Sequence, residues 1–256
     1  MLTGLTRQIS PSINNCELSF HQRQPIDVAR ASAQHKAYQR CLGELGVRVV
    51  TLPAVADLPD CVFVEDPALV LDEIAVISRM GAASRRPEAE SLAAALSGYR
   101  RLEFLREPAT LDGGDVMRIA RTLFVGLSRR TNREAVTQLS DLLRPYDYQV
   151  EPVEVTGCLH LKSACSYIGR NTVLVNRSWV AAEKLLRFEL IDVPAEEPDA
   201  ANALLVKDVV VLPSSFPITR GLLERRGFSV RTVDVSELQK AESGVTCMSL
   251  IFDCKD

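Results

Sequence analysis

The sequence predicts an α/β protein built as a closed ring of five ββαβ blades with pseudo-fivefold symmetry, a five-bladed propeller in a single domain over residues 1–256. Three observations predict it. A unit of hairpin, helix and strand recurs about every 40 to 50 residues, the period of propellers and arrays. Four copies run consecutively, and the pieces of a fifth lie at the two ends, so that both ends of the chain would close the ring and protect its edges. A polar residue also stands at the same phase of each copy, at Asp66, Asp115, His160, Asn202 and Cys247, with separations of 49, 45, 42 and 45 residues. A doubly wound open sheet is the competing architecture, and the short-turned hairpins fit it poorly.

The elements follow in order. Residues 1–24 are polar and irregular, without a strong period. Pro25 suits a first helical turn, and Val28, Ala31, Ala37, Tyr38, Cys41 and Leu42 recur at helical spacing up to Gly46. Val47–Leu52 reads as a strand. The first full unit has a strand-like run Cys61–Val70 interrupted at Glu65-Asp66-Pro67, a turn at Asp72-Glu73, a strand Ile74–Ser78, a small-residue loop Gly81–Arg86, a helix Pro87–Leu96 and a strand Arg101–Leu105. The second runs Asp115–Ile119, Leu123–Leu127, a polar loop Ser128–Asn132, a helix to Leu143 and a strand Gln149–Val155. The third has Leu161–Ile168, Thr172–Val175, a helix around Trp179–Leu186 and Phe188–Val193. The fourth has Ala203–Val206, Val209–Leu212, a helix Thr219–Arg226 and Ser229–Val235. Cys247–Phe252 opens the fifth, which the N-terminal helix and strand complete.

Bulk composition narrows the function classes. With 46% hydrophobic and 25% charged residues the chain has ordinary globular composition. A net charge of -3 and a pI near 5.8 argue against nucleic acid or an anionic membrane as partner. Met1–Ser10 lacks the apolar core of a secretory signal and no run reaches bilayer-spanning length, so a cytoplasmic protein is expected. The seven cysteines include no C-x-x-C pair, and reduced thiols are the default. The three histidines, His21, His35 and His160, make no zinc-finger spacing with them, and no metal site is expected. His35 is assigned to the helix surface, and His21 lies in a loop without an evident partner.

The polar set at equivalent phase carries the chemistry. Alone, Cys247 at the entrance to a short apolar run reads as a core cysteine. In a ring, however, it would converge on the axis with acids and a histidine, groups that cost several kcal/mol each to bury unpaired. A satisfied polar plug is the structural alternative to a reactive site. A thiolate is a strong nucleophile and an imidazole can move the proton its reaction requires. Acids around that pair repel anions and hold a cation, and a guanidinium fits in charge and donor geometry. The other Cys/His reading, a cysteine protease, has no motif here to support it.

Six ordered runs then carry a family resemblance. Pro59–Asp66, Gly81–Arg86, Ala109–Asp115, Phe124–Asn132, Leu159–Ser163 and Gly244–Cys247 resemble dimethylarginine dimethylaminohydrolase, and the likeness extends from about Gln34 to Phe252. The resemblance implies the five-bladed pentein fold and hydrolysis of Nω-methylated arginine to citrulline and a methylamine without a cofactor. It implies that Cys247 is the nucleophile, forming an alkylthiouronium intermediate, and that His160 is the acid and then the base. It implies that Asp66 grips the guanidinium and that Asp112 orients the histidine. The amino-acid end of this small guanidinium substrate would be held by Leu18, Asp60, Glu65, Arg85 and Arg130 and by the backbone at Ala241, with 12–24 as a lid. Arg86 and Arg129 read as a solvated basic loop, Asp115 as a structural acid, and Trp179 and the other cysteines as packing or surface. A homodimer is compatible with this reading. The alternatives are a deiminase acting on arginine or agmatine, whose families share the Cys/His/acid core, and a non-catalytic ring used as a binding platform.

Overall fold

Short apolar runs bounded by turn residues make most of the strands, and the middle strands of the four internal units are largely apolar. Ile74–Ile77 and Thr172–Val175 are buried at every position, as expected for a strand covered on both faces. The computed structural model describes residues 1–254, so the last two residues of the expected domain lie outside the described residues.

In chain order the elements are β1 (Leu2–Arg7), α1 (Val28–Glu44), β2 (Arg48–Leu52), β3 (Ala68–Val70), β4 (Ile74–Ile77), α2 (Glu88–Leu96) and β5 (Arg101–Phe104). They continue with β6 (Val116–Ile119), β7 (Thr122–Leu127), α3 (Arg133–Leu143), β8 (Gln149–Glu154), α4 (Leu161–Ala164), β9 (Cys165–Tyr167), β10 (Thr172–Val175) and β11 (Glu189–Asp192). The last are β12 (Leu204–Val206), β13 (Val209–Pro213), α5 (Pro217–Arg225), β14 (Ser229–Val233), α6 (Ser236–Gln239) and β15 (Leu250–Asp253). They form five three-stranded sheets, ordered β3-β4-β5, β6-β7-β8, β9-β10-β11, β12-β13-β14 and β15-β1-β2. In each, the first strand pairs antiparallel with the middle one and the third runs parallel to it. A tight turn suffices for the first pairing, and the parallel strand needs the longer crossover.

The first strands line the ring axis. One cavity of ≈ 400 Å³ is bounded by Leu69, Met117, Tyr167, Leu205 and Ile251, one residue from each of the five first strands. The chain ends close the ring, with Leu2 opposite Asp253 and Leu5 opposite Leu250.

The structure corrects several sequence expectations. Residues 1–24 contain β1, the middle strand of the closing sheet, buried at every position after Leu2. Its apolar run is broken by Thr3, Gly4, Thr6 and Arg7. Thr6 bonds Thr51, and Arg7 bonds Ser91 and the Pro53 carbonyl, whereas the buried Thr3 hydroxyl has no hydrogen-bond partner among the described residues. The expected helix around Trp179–Leu186 shrinks to one 3-10 turn at Ala182–Leu185. Its backbone groups bond across to the preceding unit instead, with Thr156 N–H donating to the Trp179 carbonyl and Ala181 N–H to that of Glu154. The expected strand Leu161–Ile168 begins as the short helix α4, and the expected strand Cys247–Phe252 begins only at Leu250. Cys247 therefore lies in the loop before β15. His35 is buried, stacked on Tyr38 at 6.2 Å, and burial pulls its imidazole pKa down to about 4.

Leu5 has no exposed surface and packs between the closing sheet and the next blade. Leu5→Ala should lower unfolding free energy by about 2–5 kcal/mol in denaturant titration. A loss below about 1 kcal/mol would show that the N-terminal strand is not part of the core.

Candidate active site

Each blade enters its first strand from a polar loop, and these loops meet at one end of the axis. Asp66 precedes β3, Asp112 precedes the 3-10 turn Gly113–Asp115 leading into β6, His160 caps the start of α4, and Cys247 precedes β15. Asp60, Asp66, Arg85, Arg130, His160 and Cys247 line a cavity of ≈ 20 Å³ there. That volume holds about one water molecule.

Asp66 is held as an anion by named donors. Asp66 accepts from Arg85 Nη1 at 2.7 Å and from the Gly114 N–H at 3.0 Å, and its Oδ1 lies 3.8 Å from His160 Nδ1. Burial alone would raise its pKa, but the charges of His160 and Arg85 and the Gly114 N–H bring it down to about 2. Gly114 permits this approach, because a Cβ there would meet His160 Nδ1 at 2.5 Å and Asp66 Oδ1 at 2.9 Å. Arg85 is itself fixed by a two-pronged pair with Glu88, both contacts at 2.9 Å.

His160 sits between two carboxylates. Its Nε2 lies 3.1 Å from Asp112 Oδ2, while Asp112 Oδ1 accepts the Gly81 N–H at 2.9 Å. Burial opposes a charge on the ring, but Asp66, Asp112 and Asp115 together raise its pKa to about 9. Near neutral pH the imidazole is therefore protonated. Cys247 is pushed the other way: burial first, then the negative charges of Glu65 and Asp66, lift its thiol to about 12. The Gly244 N–H, 3.4 Å from Sγ, works against this rise. The resting pair is a thiol beside an imidazolium.

A second network fixes the nucleophile's loop. Glu65 accepts from Lys162 Nζ at 2.5 Å and from Thr246 Oγ1 at 2.8 Å. The Glu65 N–H donates to the Cys247 carbonyl at 3.2 Å. Asn202 receives the Thr246 N–H and donates to the Lys162 carbonyl at 2.9 Å. Three blades are thus tied to the Cys247 loop. Glu65 is in this network rather than among the residues lining the cavity.

The other expected site residues divide. Arg130 is buried, its Nη1 has no hydrogen-bond partner among the described residues and lies 3.6 Å from Asp112 Oδ2, and its Nη2 donates to Ser19 Oγ. Asp60 accepts the Glu17 N–H at 3.1 Å. Ala241 lines the cavity, while Leu18 packs against the hydrophobic cluster under the lid. Asp115 is a structural anchor, accepting from Ser128, Thr131 and the Leu161 N–H. Sequence reasoning missed Glu88, Lys162, Thr246 and Glu242. Glu88 had a usable signal, three residues after Arg85, where the 3-10 turn Ala83–Arg85 leads into α2. Glu242, in the left-handed region at φ 57°, accepts the N–H groups of Ser19, Phe20 and His21 and holds the lid segment closed. Asp66, Asp112 and His160 bring potential metal-ligand atoms within 4.8 Å of one another. Of these acids, Asp66 is already paired with Arg85, and Asp112 Oδ2 lies 3.6 Å from Arg130 Nη1.

Asp66→Asn removes the negative charge nearest Nδ1 while burial continues to disfavour the cation. The His160 pKa should therefore fall from about 9 toward or below the ordinary histidine range, read by NMR titration of the ring in Cys247→Ser protein. An unchanged value would contradict the electrostatic account.

Comparison with known proteins gives a consistent result. A family model for eukaryotic N,N dimethylarginine dimethylhydrolase matches residues 5–249. The N(G),N(G)-dimethylarginine dimethylaminohydrolase of Pseudomonas aeruginosa is 36% identical over 236 residues, covering 91% of this chain and 92% of its own. The enzyme of that name from Streptomyces coelicolor is 36% identical over 249 residues, covering 96% and 95%. A solved structure of the Pseudomonas enzyme, a cysteine-to-serine variant with citrulline, superposes with a TM-score of 0.93 at 34% identity over 98% of this chain and all of that one. The N-terminal domain of ArgZ, a cyanobacterial arginine dihydrolase, shares the fold with a TM-score of 0.85 at 20% identity, covering 98% of this chain and 97% of that one. The chain belongs to the dimethylarginine dimethylaminohydrolase family, with its five-bladed pentein fold.

Proposed function

We propose that the chain hydrolyses Nω-methylated arginine, asymmetric dimethylarginine or monomethylarginine, to citrulline and a methylamine, as a one-domain amidine hydrolase that needs no cofactor. The observation that carries this reading is a thiol and an imidazolium on one ring axis with Asp66 and Asp112, in a member of this family.

The electrostatics suit a cationic substrate. At rest the buried thiol is protonated because Glu65 and Asp66 oppose a thiolate. A guanidinium bound against Asp66 places a positive charge beside Sγ and reverses that balance. The thiol releases its proton to solvent water, to be returned to the sulfur when citrulline forms, and the thiolate attacks the guanidinium carbon, forming the C–S bond. His160, as imidazolium, gives its proton to the methylamine nitrogen as the C–N bond breaks, leaving an S-alkylthiouronium on Cys247. The imidazole, now neutral and oriented by Asp112, takes a proton from water as the oxygen attacks the same carbon. Collapse expels the Cys247 thiolate and releases citrulline.

Binding of the amino-acid end follows from the donors left over. Arg130 has an unpartnered Nη1, and Arg85 keeps N–H groups beyond the three engaged by Asp66 and Glu88, so both can meet a carboxylate. Asp60, with backbone carbonyls at Leu18 and Ala241, suits the ammonium group. The ≈ 20 Å³ cavity is too small for this ligand, so entry requires release of the lid segment from Glu242.

Citrulline should be released from asymmetric dimethylarginine by the purified protein, and Cys247→Ser should reduce the rate by more than about 1,000-fold. Steady turnover by that variant would refute the nucleophile. A clear kcat/KM preference for unmethylated arginine would instead favour a deiminase.

A further inference from the structure

A second cavity of ≈ 270 Å³ adjoins the catalytic one, and no step above uses it. The two share Leu159 and Glu242 as walls. Gly244, whose N–H points at Cys247 Sγ, faces the second cavity, and Leu159 directly precedes His160. This cavity therefore lies against the two loops that carry His160 and Cys247.

Its lining is aromatic and acidic. Phe20, Trp179 and Phe216 contribute rings, and Asp199 and Glu242 contribute carboxylates. Trp179 is held close by the absence of a side chain at Gly157, where a Cβ would lie 2.0 Å from its Cδ1. Glu242 is occupied with the lid N–H groups, but Asp199 accepts no side-chain hydrogen bond from the described residues and meets only the charge of His21. Among the described residues no lysine or arginine lines it. The cavity at the opposite end of the axis differs, being lined by Arg118, Lys162 and Lys207. Arg129 already lies over the Phe20 ring at 5.5 Å and His21 faces Asp199, which leaves Trp179, Phe216 and the Asp199 carboxylate as the combination that attracts alkylated ammonium ions through cation–π and Coulomb attraction. The volume is below the ~300–1,000 Å³ of pockets for drug-sized ligands and suits a small ion.

We propose that this cavity is a binding site for small methylated ammonium ions, through which the protonated methylamine product leaves. The identity of that ion rests on the hydrolase reading, whereas the recognition chemistry does not. Amine released at His160 takes up a proton in water and departs as a cation. The aromatic and acidic walls would hold it away from the thiouronium while water attacks. Trp179 and Asp199, assigned no part in the chemistry, are the recognition residues.

Trp179 is the only tryptophan in the chain, so its fluorescence reports on this cavity directly. The wild-type protein is titrated, without substrate and at constant ionic strength, with dimethylammonium chloride, tetramethylammonium chloride and the neutral isostere tert-butanol. Both ammonium ions should give a saturable change, with tert-butanol weaker by more than about tenfold. Asp199→Asn should weaken the ammonium response several-fold, and Asp66→Asn should leave it in place. No saturable change, an equal response to tert-butanol, or loss in Asp66→Asn rather than Asp199→Asn would each overturn the proposal. No turnover is involved. Binding without hydrolysis of methylarginine would refute only the hydrolase reading, and hydrolysis without binding only the exit site.

Discussion

Asp66 keeps its negative charge with 3% of its surface exposed, and the arrangement at the ring axis depends on how that is achieved. A carboxylate so placed would take up a proton unless donors surround it. Arg85 supplies one ion pair and the Gly114 N–H a hydrogen bond from the neighbouring blade. Arg85 needs Glu88 in turn, so Asp66, Arg85, Glu88 and Gly114 form one unit. Removing a single member would leave an uncompensated buried charge, typically costing about 3–5 kcal/mol. That cost explains why a ring closed by short strands can hold such a cluster rigidly.

The same charge sets the protonation of the reacting pair. Asp66 raises His160 and, with Glu65, raises Cys247. One field thus favours the imidazolium needed for leaving-group protonation and suppresses the thiolate until a cation arrives. A thiol kept protonated is also a poor target for stray electrophiles. The nucleophile's position comes from separate contacts, the Glu65–Lys162 and Asn202–Thr246 links between blades. Glu65 takes part in both field and position, whereas Asp66 acts on the field and Lys162, Asn202 and Thr246 on position.

Much of the fold is legible in the sequence because each of the four internal blades has an apolar middle strand between recognisable turns. Strand β1 hides because its apolar run is broken by buried polar residues, of which Thr6 and Arg7 find partners in other segments, information that local pattern does not contain. The fourth helix in the pattern, around Trp179, is lost because its backbone bonds to the preceding blade. His35 could have been read as buried, since Ala31, Tyr38 and Leu42 share its helix face at four-, three- and seven-residue spacing. In the site, phase brings Asp66, His160 and Cys247 to one cavity. It also selects Asp115, whereas the carboxylate beside His160 belongs to Asp112, three residues earlier. The 3-10 turn Gly113–Asp115 causes that offset by turning Asp115 toward Ser128 and Thr131. Lys162 and Thr246 were visible within matched runs, but their shared partner Glu65 is a long-range contact that no periodicity encodes.

The central claim is a covalent bond between Cys247 and the guanidinium carbon. Rapid acid quenching during turnover of asymmetric dimethylarginine, followed by mass spectrometry of the intact protein and its peptides, tests it directly. The account predicts an adduct of substrate less dimethylamine on the peptide containing Cys247, absent from Cys247→Ser. Turnover without an adduct at any quench time, or an adduct on one of the other six cysteines, would contradict it.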